Sequence, residues 1–376
     1  MKGWRTMIFT VNKTDFEKAI TPVSIIAQSK TADSSLNGIY IEASGETLTL
    51  YCYDIEKGIK TTIDAYVSNA GKIIADSQIV PIVHSMPDGE ITFRSDDNNV
   101  ITLSSGDSEF QIMGRDASSY PAMPEIKGHT AFSITKKQMK NIINKTIFSI
   151  SKDDTNPVLK GSLFQIKDNI LTVSAIDGFR FAVRKEKSTI DNPDLDIGFI
   201  IPGKAQQNLL RIMEDNDDEI NLELGNKHII MMMDNLYLMI RLLEGEFPAY
   251  EKFIPEYTTT AVVNRDRFIN SLERVAIVNE KMYSSAKLSF SNDVLKISCE
   301  TESGKVNDQI SVHMEGDEKE ILFNQQFLIE ALRCCENENV LVRIAENSRG
   351  TVIKATAEDE NEDAGYLYLI MPVRGR

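Results

Sequence analysis

The residues able to bind a metal or act as nucleophiles are four histidines, His84, His129, His228 and His313, and four cysteines, Cys52, Cys299, Cys334 and Cys335. Metal sites gather such ligands at short, recurring spacings, and these eight are scattered. Cys334 and Cys335 are adjacent in a stretch of helical pattern, where neighbours point about 100° apart, so they read as buried thiols and not as a chelating pair. Asp194 and Asp196 in "NPDLDIG" (192–198) resemble an acid–base pair in spacing but lie in a polar connector, where carboxylates are solvated. There is no GxxxxGK[ST] phosphate loop and no GxSxG turn. Nothing in the sequence is arranged to make or break bonds, and no metal or cofactor is expected.

The basic residues do show a pattern. Lys and Arg total 41 against 56 Asp and Glu, a net charge of −15 that argues against general polyanion binding. Yet "KKQMKNIINKTIFSISK" (136–152) carries Lys136, Lys137, Lys140, Lys145 and Lys152 with no acidic residue. Acidic residues crowd "SDD" (95–97), "EDNDDE" (214–219) and "AEDENED" (357–363) instead. Lysines on a helix often do no more than solvate it, so the segregation of charge carries more weight than any single lysine.

The elements that position these residues recur three times. A chain of 376 residues implies two or three domains. "FTVNKTDFEKAI" starts at Phe9, "FSITKKQMKNII" at Phe132 and "AVVNRDRFINSL" at Ala261, 123 and 129 residues apart. Each reads as a strand entering an amphipathic helix, with Asn12, Thr135 or Asn264 at the N-cap. A hairpin follows each helix: "GIYIEASGETLTLYCYD" (38–54), "GSLFQIKDNILTVSAID" (161–177) and "AKLSFSNDVLKISCET" (286–301). A second strand–helix–strand set and a closing strand, "EFQIMG", "LYLMIRL" or "YLYLIMP", complete each copy. Two copies end in matching turns, "SSYPAMP" (118–124) and "GEFPAYEKFIP" (245–255). The expected fold class is α+β, three tandem domains over 1–128, 129–256 and 257–376, each a duplicated β-α-β-β-β unit. The Met-rich "HIIMMMDNLYLMI" (228–240) reads as core and sheet face. It is interrupted by Asp234 and Asn235, and no apolar run reaches the roughly 18 residues of a membrane span. The N-terminal residues lack the features of a secretory signal, which makes the cytoplasm the expected location.

The triplicated plan, with "AIDGFRFAV", "GEFPAYEKFIP", "VNEKMYSSAKL" and "LIMPVR" in this order, resembles the bacterial DNA polymerase sliding-clamp family across residues 7–374. The resemblance implies two chains closed head-to-tail into a ring, helices lining the channel, and duplex DNA bound without regard to sequence. Under it, Lys136, Lys140, Lys145, Lys204, Arg211 and Arg274 on the helices become DNA contacts, joined by Lys30 and Lys152 in loops. Phosphate contacts made without base-reading groups permit sliding.

The resemblance further implies an apolar cleft for short linear peptides from the replicative polymerase, the clamp loader and repair proteins. Its floor would be Leu159, Ile176, Gly178, Phe179, Arg180 and Phe181. The connector would add Pro248, Lys252 and Phe253, and the third domain Met282 or Tyr283, Asn324 and Phe327. The final run Leu369, Ile370, Met371, Pro372, Val373 and Arg374 would form a lip, though alternation along a strand sends some of these side chains into the core. Phe179 and Phe181 depart from the histidine and leucine frequent in the family. At the dimer contact, Phe110 and Ile112 would pack against Ile277 of the other chain. Asp107 and Glu109 would face Lys296 and Lys305, the reverse of the basic-to-acidic arrangement of well-known members. Two other readings stay open at this point: a monomeric peptide-binding scaffold, distinguished by its mass, and a hydrolase, which would need a polar catalytic cluster.

Overall fold

The computed structural model describes residues 6–27, 36–124, 128–153, 155–190, 192, 194–278, 285–302, 304–346, 350–355 and 365–373. Lys30, Met282, Tyr283 and Arg374 fall outside them. The fold is α+β, and every strand pairing among the described residues is antiparallel. None of the described helices is long and apolar enough to cross a membrane.

Six α-helices lie among the described residues: α1 (Lys13–Ala27), α2 (Ile79–Ser85), α3 (Lys136–Asn144), α4 (Gly203–Ile212), α5 (Arg265–Ala276) and α6 (Gln325–Cys334). Each buries one stripe, such as Phe16, Ala19, Ile20, Val23 and Ile26 on α1, or Phe268, Leu272 and Val275 on α5. The expected caps are found at two starts. The Asn264 side chain accepts from the Arg267 N–H and that of Asn12 from the Thr14 N–H.

The chain forms two compact units, Met1–Lys137 with Lys204–Leu242, and Gln138–Gly203 with Leu243–Arg376. This grouping divides the central third of the sequence, because its strands pair outward. In the first unit, Leu236–Arg241 pairs with Lys57–Asp64 and so joins four central strands to four from the first repeat in an eight-stranded sheet. A five-stranded sheet completes the unit, with Met7–Asn12 inside it and Ser108–Met113 at one edge. In the second unit, Arg180–Lys187 pairs with Gly365–Ile370, building a nine-stranded sheet from central and third-repeat strands. A four-stranded sheet has Gly304–Ser311 at its edge.

The strand Gly365–Ile370 shows how alternation sorts side chains. Tyr366, Tyr368 and Ile370 enter the third repeat's core with Phe268, Leu272 and Leu328. Leu369 points the other way, into a smaller cluster with Ile176, Phe181, Val183, Tyr250 and Val352. The segment is strongly apolar because both of its faces are covered.

Candidate functional site

The smaller cluster lies in the second unit, and a turn sets its rim. The Asp177 Oδ1 accepts from the Phe179 and Arg180 N–H groups, both at 2.9 Å. Gly178 between them sits at φ +91°, a conformation open to glycine at little cost. The turn throws Phe179 outward, leaving it 65% exposed. The Met371 N–H donates to the Phe179 carbonyl at 2.8 Å, fixing the end of the final strand beside that ring. Two residues on, the Val373 N–H donates to the Leu322 carbonyl at 2.9 Å. Pro372 thus ends the sheet, but the chain stays tied down through Val373. Tyr250, in the turn Tyr250–Phe253, is buried against Phe181 with ring centroids 6.0 Å apart, while Phe253 is left exposed. Leu159, Phe247 and Ile254 pack at the margin.

The expected cleft residues therefore divide. Leu159, Ile176, Phe181 and Leu369 meet in one apolar floor, and Phe179, Phe253, Met371 and Val373 stand exposed around the unit's surface. Lys252 is exposed, and Pro248 and Pro372 are half-buried. Three of the expected residues have other engagements. Ile370 belongs to the third repeat's main core. Asn324 caps α6, its side chain accepting from the Gln326 N–H. Arg180 is not a groove-facing ligand. It is buried, donates to Asp177 (2.9 Å), to Glu330 and to the Phe148 carbonyl (2.6 Å), and lies over the rings of Phe148 and Phe327. It holds up the turn beneath Phe179. Tyr250 and Phe247 were missed, although the turn shared by "YPAMP" and "FPAYE" placed them opposite Met123 and Tyr120.

Internal comparison shows how this turn differs from its counterpart in the first repeat. Arg180 pairs with Ile370, and Lys57 holds the matching position opposite Ile240. The Asp54 turn repeats the Asp177 turn, with Lys57 bound to Asp54 at 3.1 Å. There the Arg241 N–H donates to the Glu56 carbonyl at 2.7 Å, so Glu56 and Arg241 stand where Phe179 and Met371 do. Gly58 replaces Phe181, and Met123 sits where its Cβ would be. The Asp54 junction presents one large apolar side chain outward, Ile55, whereas the one around Phe179 presents both Phe179 and Met371.

The basic residues also divide. Lys136 is 2% exposed and bound to Asp234 (2.8 Å) and Asp218 (3.3 Å), which removes it from any ligand-facing surface. Burial opposes its charge, but the two carboxylates more than offset this and its pKa rises. Lys13, at the matching position of α1, is likewise tied to Asp88 at 3.2 Å. The first basic residue of these helices latches the helix to a neighbouring loop. Arg274 is engaged by Asp308, and Lys145 lies 3.7 Å from Glu336. Lys152, Lys204 and Arg211 are exposed and Lys140 partly so. Lys204 and Arg211 stand two turns apart on α4, which carries no acidic residue.

Burial pushes the Cys334 thiol up to about 11 and the Cys52 and Cys335 thiols up to about 12, so they stay protonated at neutral pH. No group of three His, Cys, Asp or Glu among the described residues is placed to hold a metal ion.

Comparison with known proteins agrees along the whole chain. Residues 7–124, 133–249 and 251–374 match the family models of the N-terminal, central and C-terminal domains of the DNA polymerase III beta subunit. The beta sliding clamp of Halalkalibacterium halodurans is 29% identical over 383 residues, covering 98% of this chain and 100% of the relative. That of Staphylococcus epidermidis is 28% identical over 381 residues, covering 98% and 99%. The solved DNA polymerase sliding clamp of Bacillus subtilis superposes with a TM-score of 0.91 at 27% identity, covering 98% of this chain and 100% of that one.

Removing one member of a buried, paired charge leaves the others unsatisfied. Arg180→Ala is expected to lower stability by about 3–5 kcal/mol in chemical denaturation. Phe179→Ala, at an exposed position, should stay within about 0.5 kcal/mol of the parent.

Proposed function

Because the chain belongs to the bacterial DNA polymerase III β-subunit family, the sliding clamps, we propose how its surfaces divide the work of a clamp. The protein is a non-catalytic processivity factor of DNA replication. In our reading two copies close head-to-tail into a ring around duplex DNA, in the cytoplasm. Lys140, Lys152, Lys204 and Arg211 are the phosphate contacts we favour, with Lys145 supplementing them from its pair with Glu336. Such contacts are non-specific and individually weak, which suits a protein that must move along its substrate.

The observation that carries this reading is where apolar side chains are left in water. Nine large hydrophobic residues are exposed among those described. Phe179, Phe253, Met371 and Val373 surround the apolar cluster of the second unit, Phe110 and Met113 lie on the edge strand Ser108–Met113, and Ile277 follows α5, which packs on the edge strand Gly304–Ser311, so seven of the nine fall on the surfaces our reading assigns to a clamp. The groove suits an extended peptide with one or two apolar anchors, from the polymerase and also from clamp-loader and repair proteins. The edge strands suit a second copy.

Enclosure makes retention depend on DNA topology. Protein loaded on nicked circular DNA should persist through moderate salt and be lost once the circle is linearised. Equal loss from both forms would contradict enclosure.

For the groove, Met371→Ala should weaken a polymerase-derived anchor peptide by roughly 1–2 kcal/mol, about five- to thirtyfold in Kd, with unfolding unchanged. Binding unaltered by both Met371→Ala and Phe179→Ala would place the peptide site elsewhere.

A further inference from the structure

We propose that the groove around Phe179 selects peptides whose apolar anchors are flanked by lysine or arginine, because the segment along its margin forms an acidic rim. This rests on the peptide-groove reading above and adds the charge of the partner.

The segment from Glu246 to Tyr257 alternates two roles. Phe247, Tyr250, Ile254 and Tyr257 pack into or against the apolar cluster that holds Phe181 and Leu369. Glu246, Glu251 and Glu256 each adjoin one of these residues in the chain, and all three are exposed. Consecutive Cα atoms are only about 3.8 Å apart, so the three carboxylates border the cluster. Glu251 also lies beside the Tyr250 hydroxyl. Burial first, and then this charge, push the Tyr250 phenol up to about 12.

The fold does not ask for these acids. The turn shared with the first repeat has Ser119 at the position of Glu246 and Pro124 at that of Glu251, so it forms without a carboxylate at either place. Nor do they serve the chain as ion-pair partners, since none of the three carboxylates is paired with a base among the described residues.

Basic residues in the same surroundings are turned to other uses. Arg180 is buried between Asp177, Glu330 and the rings of Phe148 and Phe327, so its charge is not offered to a ligand. Arg343 is half-buried, its guanidinium 5.6 Å from the centroid of the Tyr257 ring. Lys185 lies two residues beyond Val183 along the same sheet face, away from the turn. Within the segment itself, Lys252 stands against three exposed glutamates. A cation next to an apolar anchor meets attraction there. An anion meets repulsion, and like charges brought together discriminate against the wrong partner.

Two peptides sharing one Leu and one Phe as anchors, with lysines at both ends in one and glutamates at both ends in the other, test this by fluorescence anisotropy against the intact chain. Charges at both ends serve either direction of binding. The lysine peptide should bind roughly five- to thirtyfold more tightly at low salt, and the gap should close towards about 0.5 M salt. Equal affinities, or tighter binding of the glutamate peptide, overturn the proposal. The whole chain carries a charge of −15, so local and net charge must be separated. Glu246→Lys/Glu251→Lys should abolish the preference, whereas Glu214→Lys/Asp215→Lys, the same change of charge at exposed residues after α4, should keep most of it. A preference lost equally in both double variants reads net charge alone and overturns the acidic rim. No binding by either peptide, or binding unchanged by both Met371→Ala and Phe179→Ala, overturns the groove reading and this proposal with it.

Discussion

A β-sheet edge is a row of unmade hydrogen bonds, and this chain is organised by the need to fill such edges. Each repeat closes on a strand that offers one. Leu236–Arg241 is filled by Lys57–Asp64, and Gly365–Ile370 by Arg180–Lys187, so two of three closing strands are satisfied within the chain. Ser108–Met113 ends its sheet, and Gly304–Ser311 ends another. The two compact units and the composition of the eight- and nine-stranded sheets follow from this one rule.

The same rule accounts for the groove. A filled junction fixes two strand ends side by side, and what it presents to water depends on the residues at the turn. The junction at Asp54 presents Glu56 and Arg241 beside the exposed Ile55, and Met123 lies against Gly58. The junction at Asp177 presents Phe179 and Met371 over a floor of Phe181, Leu369 and Tyr250. Arg180, between two rings and two carboxylates, keeps that turn rigid while its own charge stays out of the groove. Backbone geometry is shared between the two places. Chemistry is not.

Much of this was legible in the sequence because the fold is repetitive. The three strand–helix starts, the hairpins and the caps at Asn12 and Asn264 follow from alternation and turn residues, and the repeat supplied their order. Burial was less legible. "KKQMK" shows five residues of helical pattern with three lysines, but only the two turns carrying Asp218 and Asp234, about 80 to 100 residues further on, decide that Lys136 is a latch. Arg180 was misplaced for the same reason: its partner Glu330 is distant in sequence. Leu369 and Ile370 are adjacent and similar, and strand alternation alone sends one to the groove floor and the other to a separate core.

Amide hydrogen exchange, followed residue by residue as protein concentration is varied, tests the edge-filling account most directly. The account predicts that Ser108–Met113 and Gly304–Ser311 exchange quickly when dilute and become protected together as the chain dimerises, approaching the protection of Leu236–Arg241 and Gly365–Ile370. Dimerisation by mass with those two strands still exchanging at the dilute rate would contradict it.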